Sequence, residues 1–446
     1  MKPNSFLLAS ASILLARAVA AVSAAGAPDS GFQNFRHSEL SATATTTIPA
    51  LIAEITAQNP ERAFYEAELA AARSSARAAT RPADPGISVE LGHKRVRPAD
   101  HGFAAEGAAW SVTLTQTFEW PGRLALRKAV ASRDITLAQL GLARFEHALA
   151  ARARILATGL HSAATRADAI REVADRFAAL KETFLARDPA GLTPLLETRV
   201  IEASELALQR RATEADLALH AALVELNQLR GAAPDAALRI DAPQDYAAAL
   251  AAPPAVVALL AAARENNFDY RMRRVELEQQ GYAVRLARHE RRPPIAVSPY
   301  FSQEKAGDTE RIIGIGLSVP LPVSGRATAA ADTAEARRRQ AEAAAAAADR
   351  ELERDIHLAA RTLQTKLTET ARWAPDTIAK FRDAAALADR HYRLGAVPIA
   401  TYVELQTGYL DAVESLLATR AEALEAALRL EQLTGVELVP VGTGAK

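Results

Sequence analysis

The chain has 446 residues, and Lys plus Arg equals Asp plus Glu at 53 each, so its formal net charge is zero; it contains no Cys. The charge balance leaves no global electrostatic footprint for nucleic acid. The missing thiols exclude disulfides, thiolate catalysis, zinc–thiolate sites and a lipidated N-terminal Cys.

At the N-terminus Lys2 precedes an apolar stretch from Phe6 to Ala25 that runs through Ala18-Val19-Ala20. This is the pattern of a secretory signal with A-x-A-like cleavage, so residues 1–25 are read as a signal peptide and 26–46 as an extended segment. No later stretch holds 18 uninterrupted apolar residues, so if the mature chain enters a membrane it does so as strands. Aromatics are only 5 % and the 49 % apolar fraction is carried heavily by Ala, which favours helices packed closely over a thick core.

The first repeat is placed at 47–231. A helix is predicted from about Pro49 to Ala79, strands within 86–120, a long helix at 124–187 and a turn at Asp188–Gly191. A second helix at 194–230 stops at Gly231. Residues 232–252, with their prolines, read as a connector. The second repeat, 253–435, follows the same order: a helix over about 254–291, strands within 295–322 and a long helix at 326–393 that Pro375 should kink or break. A turn at Leu394-Gly395 then leads to a helix at 398–434, and 436–446 reads as a flexible tail. Sixty-odd helical residues span roughly 95–100 Å. Such a helix needs a partner along its length, which the helix before the strands and the helix after the tip could supply end to end.

Duplication rests on four anchors. LTQTFEWPGR from Leu114 and LSVPLPVSGR from Leu317 stand 203 residues apart; Gly191-Leu-Thr-Pro194 matches Gly395-Ala-Val-Pro398, and ELNQLRG ending at Gly231 matches RLEQLTG ending at Gly435. The period is too long for a solenoid, so the chain reads as two large equivalent halves.

The strands carry the membrane argument. Trp110, Val112, Leu114, Phe118 and Trp120 alternate with Ser111, Thr113, Thr115, Thr117 and Glu119, with Gln116 the exception on the apolar face. Trp110 and Trp120 are ten positions apart, roughly 33 Å along a strand or roughly 25 Å along the normal at a tilt of about 40°, the height between aromatic girdles. Ile313, Ile315 and Leu317 alternate likewise, as do Ile87, Val89 and Leu91 and, around Phe301, the fourth strand. Hairpin connections are placed at about 93–107 and 302–310. Four strands cannot close a barrel and an open edge is not viable in lipid, so spanning strands require several chains around one axis. A soluble antiparallel sheet with one buried face is the competing reading.

This layout resembles the outer-membrane efflux protein family, the TolC-like outer-membrane factors, over about residues 47–436. The resemblance rests on the duplicated plan, FEWPGR and PLPVSGR at the strand-to-helix junctions, YRLGAVPIATYVELQTGYLDA from Tyr392 to Ala412, and the closing RLEQLTG. It implies a mostly α fold with a small β portion, forming a homotrimer whose α-barrel is topped by a 12-stranded transmembrane β-barrel, four strands per chain. It also implies docking to a periplasmic adaptor and an inner-membrane transporter of RND or similar type. The localisation implied is the outer membrane, in contact with its lipid and extending into the periplasm. The junction motifs look closest to the heavy-metal efflux branch.

By the same resemblance, the helical tips form the periplasmic entrance. Glu404 falls at an acidic ring position, Thr401 replaces an acid one turn earlier, and Glu197 matches an acidic position at the first tip. Tyr392 matches the tip Tyr, and Arg393 could substitute for a gate Arg at the position Val397 holds. Gly191, Pro194, Gly395 and Pro398 form tip turns for adaptor contact; Trp110 and Trp120 are girdle residues; Pro121, Gly122, Arg123 and Ser324, Gly325, Arg326 are the junctions. For each tip carboxylate, an ordinary solvated helix charge is the competing reading.

Enzyme chemistry is not legible. His93 and His101 in a basic loop make a poor cation site, Glu146-His147 lacks HExxH spacing, and no phosphate loop, nucleophile elbow or dinucleotide fingerprint occurs. No cofactor or resident metal is expected. The resulting expectation is a passive exit duct of a tripartite efflux pump. A type I protein-secretion duct is the alternative within the fold, and a periplasmic coiled-coil scaffold the alternative outside it.

Overall fold

Two runs of elements, each of two helices, a strand pair and then long helices, follow one another along the chain. The structure is a computed structural model that describes residues 45–97, 105–187, 195–241, 249–374 and 376–439. The expected signal peptide, Gly191, Pro194, His101 and Pro375 lie outside these residues.

The first run comprises β1 (Thr45–Thr47), α1 (Ile48–Gln58), α2 (Arg62–Ala79), β2 (Gly86–Val96), β3 (Ala105–Phe118), α3 (Arg123–Arg187) and α4 (Leu195–Arg230). After β4 (Arg239–Asp241) come α5 (Val256–Asn266), α6 (Phe268–His289), β5 (Ile295–Ala306), β6 (Asp308–Ser318), α7 (Arg326–Thr370), α8 (Thr377–Arg393) and α9 (Ile399–Thr434). With 65 residues, α3 extends roughly 97 Å.

Several boundaries differ from the sequence reading, each for a local reason. The helix expected over 49–79 is two helices. Asn59 adopts extended angles ahead of Pro60, as a residue before proline prefers. The helix expected over 254–291 also breaks, at Asn267, whose extended backbone ends α5 while its side chain accepts from Tyr270 N at 2.9 Å and caps α6. The two breaks are equivalent. Asn59 Nδ2 donates to the Leu229 carbonyl at 2.9 Å and Asn267 Nδ2 to the Leu433 carbonyl at 3.1 Å. Each Asn thus ties a helix break to the last turn of the helix returning from the tip.

The long helix expected over 326–393 divides, with α7 ending at Thr370 and α8 starting at Thr377. The connector is not irregular throughout, because β4 pairs in parallel with β1, Ile240 opposite Thr46. Nor is the C-terminal segment free up to Val439. Leu438 is buried, and its carbonyl accepts from Ala251 N at 3.0 Å.

Both hairpins are longer than predicted. The second turns on Gly307 alone, at φ 86°, with Ala306 opposite Asp308. The first runs to Val96 and resumes at Ala105, which puts His93 in a strand instead of a loop. The four strands form one antiparallel sheet in the order β2-β3-β5-β6. The helices beneath repeat that order, α2 packing on α3, α3 on α6 and α6 on α7.

Three apolar clusters hold the helices. One around Leu51, Ile55, Ala153, Ala157 and Leu226 belongs to the first repeat. One around Leu259, Ala263, Ile356, Leu363 and Leu428 belongs to the second. The third joins both repeats toward the tips, through Ile170, Phe177, Ile201, Tyr392, Tyr402 and Leu410. Fully buried Ala153, Ala157, Ala263 and Ala427 mark places where small side chains let helices approach closely.

Candidate functional site

The strand register sorts every side chain onto one of two faces, since directly paired residues point the same way. Ile87, Val89 and Leu91 stand opposite Leu114, Val112 and Trp110. Val112 and Phe118 stand opposite Phe301 and Ile295, and Phe301 and Val297 stand opposite Ile313 and Leu317. One face is therefore an apolar band across all four strands, and its members are largely exposed: Leu91 is 84 % exposed, Ile313 83 % and Ile315 75 %. The other face carries Ser88, Ser111, Thr113, Thr115, Ser298, Tyr300, Ser302, Gly314 and Gly316. Gln116 is the polar exception within the band. Its Nε2 donates to the Ala83 carbonyl at 3.0 Å, at the helix end of the sheet.

Toward the turns the apolar face becomes ionic. Arg95 Nε meets Glu106 at 2.6 Å and His93 Nε2 meets it at 3.4 Å. On the polar face Lys94 bridges Glu304 at 2.7 Å and Glu310 at 2.8 Å. Gly107 makes a close strand approach possible, since a Cβ there would lie 1.8 Å from the Lys305 carbonyl oxygen. The polar face carries Glu90, Glu304, Asp308 and Glu310 against Lys94, an excess of acid.

The aromatic pair needs correction. Trp110 lies in β3, but β3 ends at Phe118, so Trp120 stands beyond the strand and the ten-residue spacing does not measure one straight strand. Trp120 is held by its indole, Nε1 donating to the Pro293 carbonyl at 2.7 Å. It remains at the sheet-to-helix level, 39 % exposed.

The two junctions share a backbone and differ in surroundings. Gly122 and Gly325 have φ 91° and 70°, conformations that favour glycine, each just before a long helix. Pro121 precedes the first, and Arg123 is buried with its guanidinium on the Arg292 carbonyl at 3.0 Å. Ser324 and Arg326 are exposed. Glu119 pairs with Arg127 beside the first junction.

At the described tip, α8 closes in a Schellman turn. Ala396 N donates to the His391 carbonyl at 2.8 Å and Gly395 N to the Tyr392 carbonyl at 2.9 Å, with Gly395 at φ 73°. Pro398 caps the start of α9. Tyr392 is buried, stacks on Tyr402 with ring centroids 5.4 Å apart, and Tyr402 tilts onto Phe177 at 5.0 Å. Burial first, then the charge and hydrogen bond of Glu197, push the Tyr392 hydroxyl up to about 12. The structure thus brings together Glu197 of α4 and Tyr392 of α8, from different repeats. Arg393 does not join them; it pairs within its own helix to Asp389 at 3.0 Å. Thr401 is half-buried and Glu404 is exposed.

The sequence reading missed the polar interlock behind this tip. Buried Gln406 donates to the Ala385 carbonyl at 2.7 Å and accepts from Arg176 at 3.2 Å. Glu172 accepts from Arg176 at 2.6 Å and Arg382 at 3.1 Å. Arg211 spans Asp411 at 2.9 Å and Glu414 at 3.1 Å, and Arg166 reaches Glu414 at 3.0 Å. The stripe Tyr402, Gln406, Tyr409, Val413 has the spacing of one helix face and was the available signal.

Among the described residues no group of three His, Cys, Asp or Glu side chains could hold a metal ion. Among them also, no helix is long and apolar enough to cross a membrane.

A two-faced four-stranded sheet set on long paired helices is also the fold of solved outer-membrane channels. The solved structures bear this out. CmeC, the outer membrane channel of Campylobacter jejuni, matches with a TM-score of 0.69 at 13 % identity, covering 87 % of this chain and 85 % of that one. A membrane protein from Pseudomonas aeruginosa matches with 0.71 at 18 %, covering 87 % and 92 %. CusC, whose structures describe transmembrane channel formation, matches with 0.66 at 14 %, covering 89 % and 95 %. No curated protein matches the chain by sequence. Residues 259–436, nearly the whole second repeat, match the outer membrane efflux protein model.

Proposed function

We propose that this chain is the outer-membrane exit duct of a tripartite efflux pump: a homotrimer that conducts substrate passively from a periplasmic adaptor and an inner-membrane transporter to the outside. The observation that carries this reading is the register-consistent apolar face across four strands, mounted on helices long enough to reach through a periplasm. An apolar face this wide, exposed to solvent in one chain, is a membrane or partner surface. Three chains would give twelve strands around one lumen, with the Ser- and Thr-rich face inward, as outer-membrane barrels arrange their faces.

In this duct Trp110 and Trp120 sit toward the two margins of the lipid-facing band, and Gly122–Arg123 and Gly325–Arg326 turn strand into helix at its periplasmic edge. The Gly395–Pro398 turn meets the adaptor, and Gly191 and Pro194, outside the described residues, are assigned the same contact. Glu197 and Glu404 line the entrance, with Tyr392 packed behind them. Its closure relies on Tyr392 with Glu197 instead of on Arg393, which Asp389 holds. The chain supplies no energy, so drive and most selectivity come from the transporter.

We read the cargo as cationic, in keeping with heavy-metal efflux. Four carboxylates against one ammonium on the inner strand face raise local cation concentration in a confined pore. The test is reconstitution of the mature chain in planar bilayers under a salt gradient. Discrete trimer-sized conductance with cation-selective reversal potential is the expected result. A monomeric, water-soluble protein that never conducts would overturn the duct in favour of a periplasmic scaffold, and anion selectivity would overturn the cargo reading.

A further inference from the structure

At the end away from the helices, the sheet sorts charge by face. Leu91, Trp110, Gln303 and Arg311 lie in one row across the four strands. From that row to the turns, the face that carries the apolar band presents His93, Arg95, Lys305 and Arg311, with Glu106 its single carboxylate. Over the same rows the opposite face presents Glu304, Asp308 and Glu310, with Lys94 its single cation. With His93 neutral, three cations stand against one carboxylate on the first face, and the second face has the reverse. The chain as a whole is neutral, so this sorting is local and follows strand parity.

These cations sit where the apolar band ends. His93 and Lys305 lie one row beyond the Trp110 row and Arg95 lies two rows beyond it. At a tilt of about 40° those rows are roughly 5 and 10 Å further along the membrane normal, in and just above the polar layer of a bilayer. Glu106 is already engaged by Arg95 at 2.6 Å and His93 at 3.4 Å. Lys305 and Arg311 are exposed, and among the described residues neither meets a carboxylate. The β5–β6 turn is Gly307 alone, so that hairpin carries no loop to fold over them.

We infer that this rim of His93, Arg95, Lys305 and Arg311 binds the phosphate groups of lipid in the outer leaflet of the membrane. The inference rests on the duct reading above and adds a ligand class to its lipid-facing side. Guanidinium forks match phosphate oxygens in pairs, and the Lys305 ammonium adds a point charge. Leu91, Ile313 and Ile315, exposed directly beneath, receive the acyl chains of the same molecule. That continuity favours a lipid over a soluble anion or an acidic protein, which would use the charges alone.

The test uses the mature chain inserted into neutral phosphatidylcholine vesicles, which also shows that each variant folds. Binding of phosphate-bearing lipid A is compared with that of the same lipid stripped of its phosphates. Lipid A should bind more tightly, and the preference should shrink as salt is raised. Lys305→Gln and Arg311→Gln should each weaken it about fivefold, and the double variant by about the product. Lys94→Gln, at the same level on the opposite face, should bind lipid A as the unaltered chain does. Equal binding of the two lipids, an undiminished double variant or an equal loss in Lys94→Gln overturns the rim. Displacement of lipid A by inorganic phosphate, or by a polyglutamate peptide, overturns the lipid assignment. A chain that never enters the neutral vesicles overturns the duct reading and the rim with it, whereas one that inserts without any phosphate preference overturns the rim alone.

Discussion

At the residue scale the tip depends on aromatic groups kept dry. Tyr392 titrates at about 12 because burial and the Glu197 carboxylate oppose its ionisation, and burial also raises Tyr402 and Tyr409. A folded-state value above the unfolded one means the protonated form is preferred by the fold. This contribution is complete below pH about 10 and is lost as pH rises toward about 12. Denaturant unfolding should therefore show stability falling between about pH 10 and about pH 12, and Tyr392→Phe should flatten part of that fall. An unchanged slope in the variant would mean that Tyr392 is not insulated at the tip. Tyr392 was legible from its motif; its partner was not. Glu197 lies in the other repeat, and only packing of α4 near α8 brings the two together.

At the element scale, the equivalent asparagines Asn59 and Asn267 decide where helices break. Each is buried and spends its amide on a carbonyl of the returning helix. Asn267→Ala removes the cap on Tyr270 N and leaves a buried carbonyl without its donor, a cost of about 1–3 kcal/mol. Asn59→Ala should cost a similar amount, and the two should add, since they share no hydrogen-bond partner. Equilibrium unfolding of the single and double variants measures this, and a loss of only a few tenths of a kcal/mol in both would mean the breaks are set elsewhere. The sequence reading ran a continuous helix through both positions because apolar periodicity persists across them. An Asn that turns the chain is recognised only when its tertiary acceptor is visible. The hairpins failed for a related reason: polar residues at 302–310 read as a loop, but ladder hydrogen bonds and ion pairs keep them in strands.

At the scale of the whole molecule, the two faces of the sheet should respond oppositely to charge. Val112→Lys places an ammonium on the apolar face and should cost about 2–4 kcal/mol of membrane-inserted stability near the midplane. Thr113→Lys, one residue on, points to the polar face. It should insert normally while moving the reversal potential toward anions. Folding titrations into lipid vesicles and bilayer recordings separate the two. Equal insertion of both variants would sink the assignment of faces.

The alternation in the strands, the 65-residue run of α3 and the duplication itself were all set by the sequence, because each depends on neighbours a few residues apart or on simple repetition. Tertiary structure alone decided which charges meet. Arg393 turned to Asp389 on its own helix, while Arg166 and Arg211 reached across to Glu414. A long side chain on an exposed helix has partners of opposite charge within reach in several directions. Burial against particular neighbours, which periodicity does not specify, selects among them.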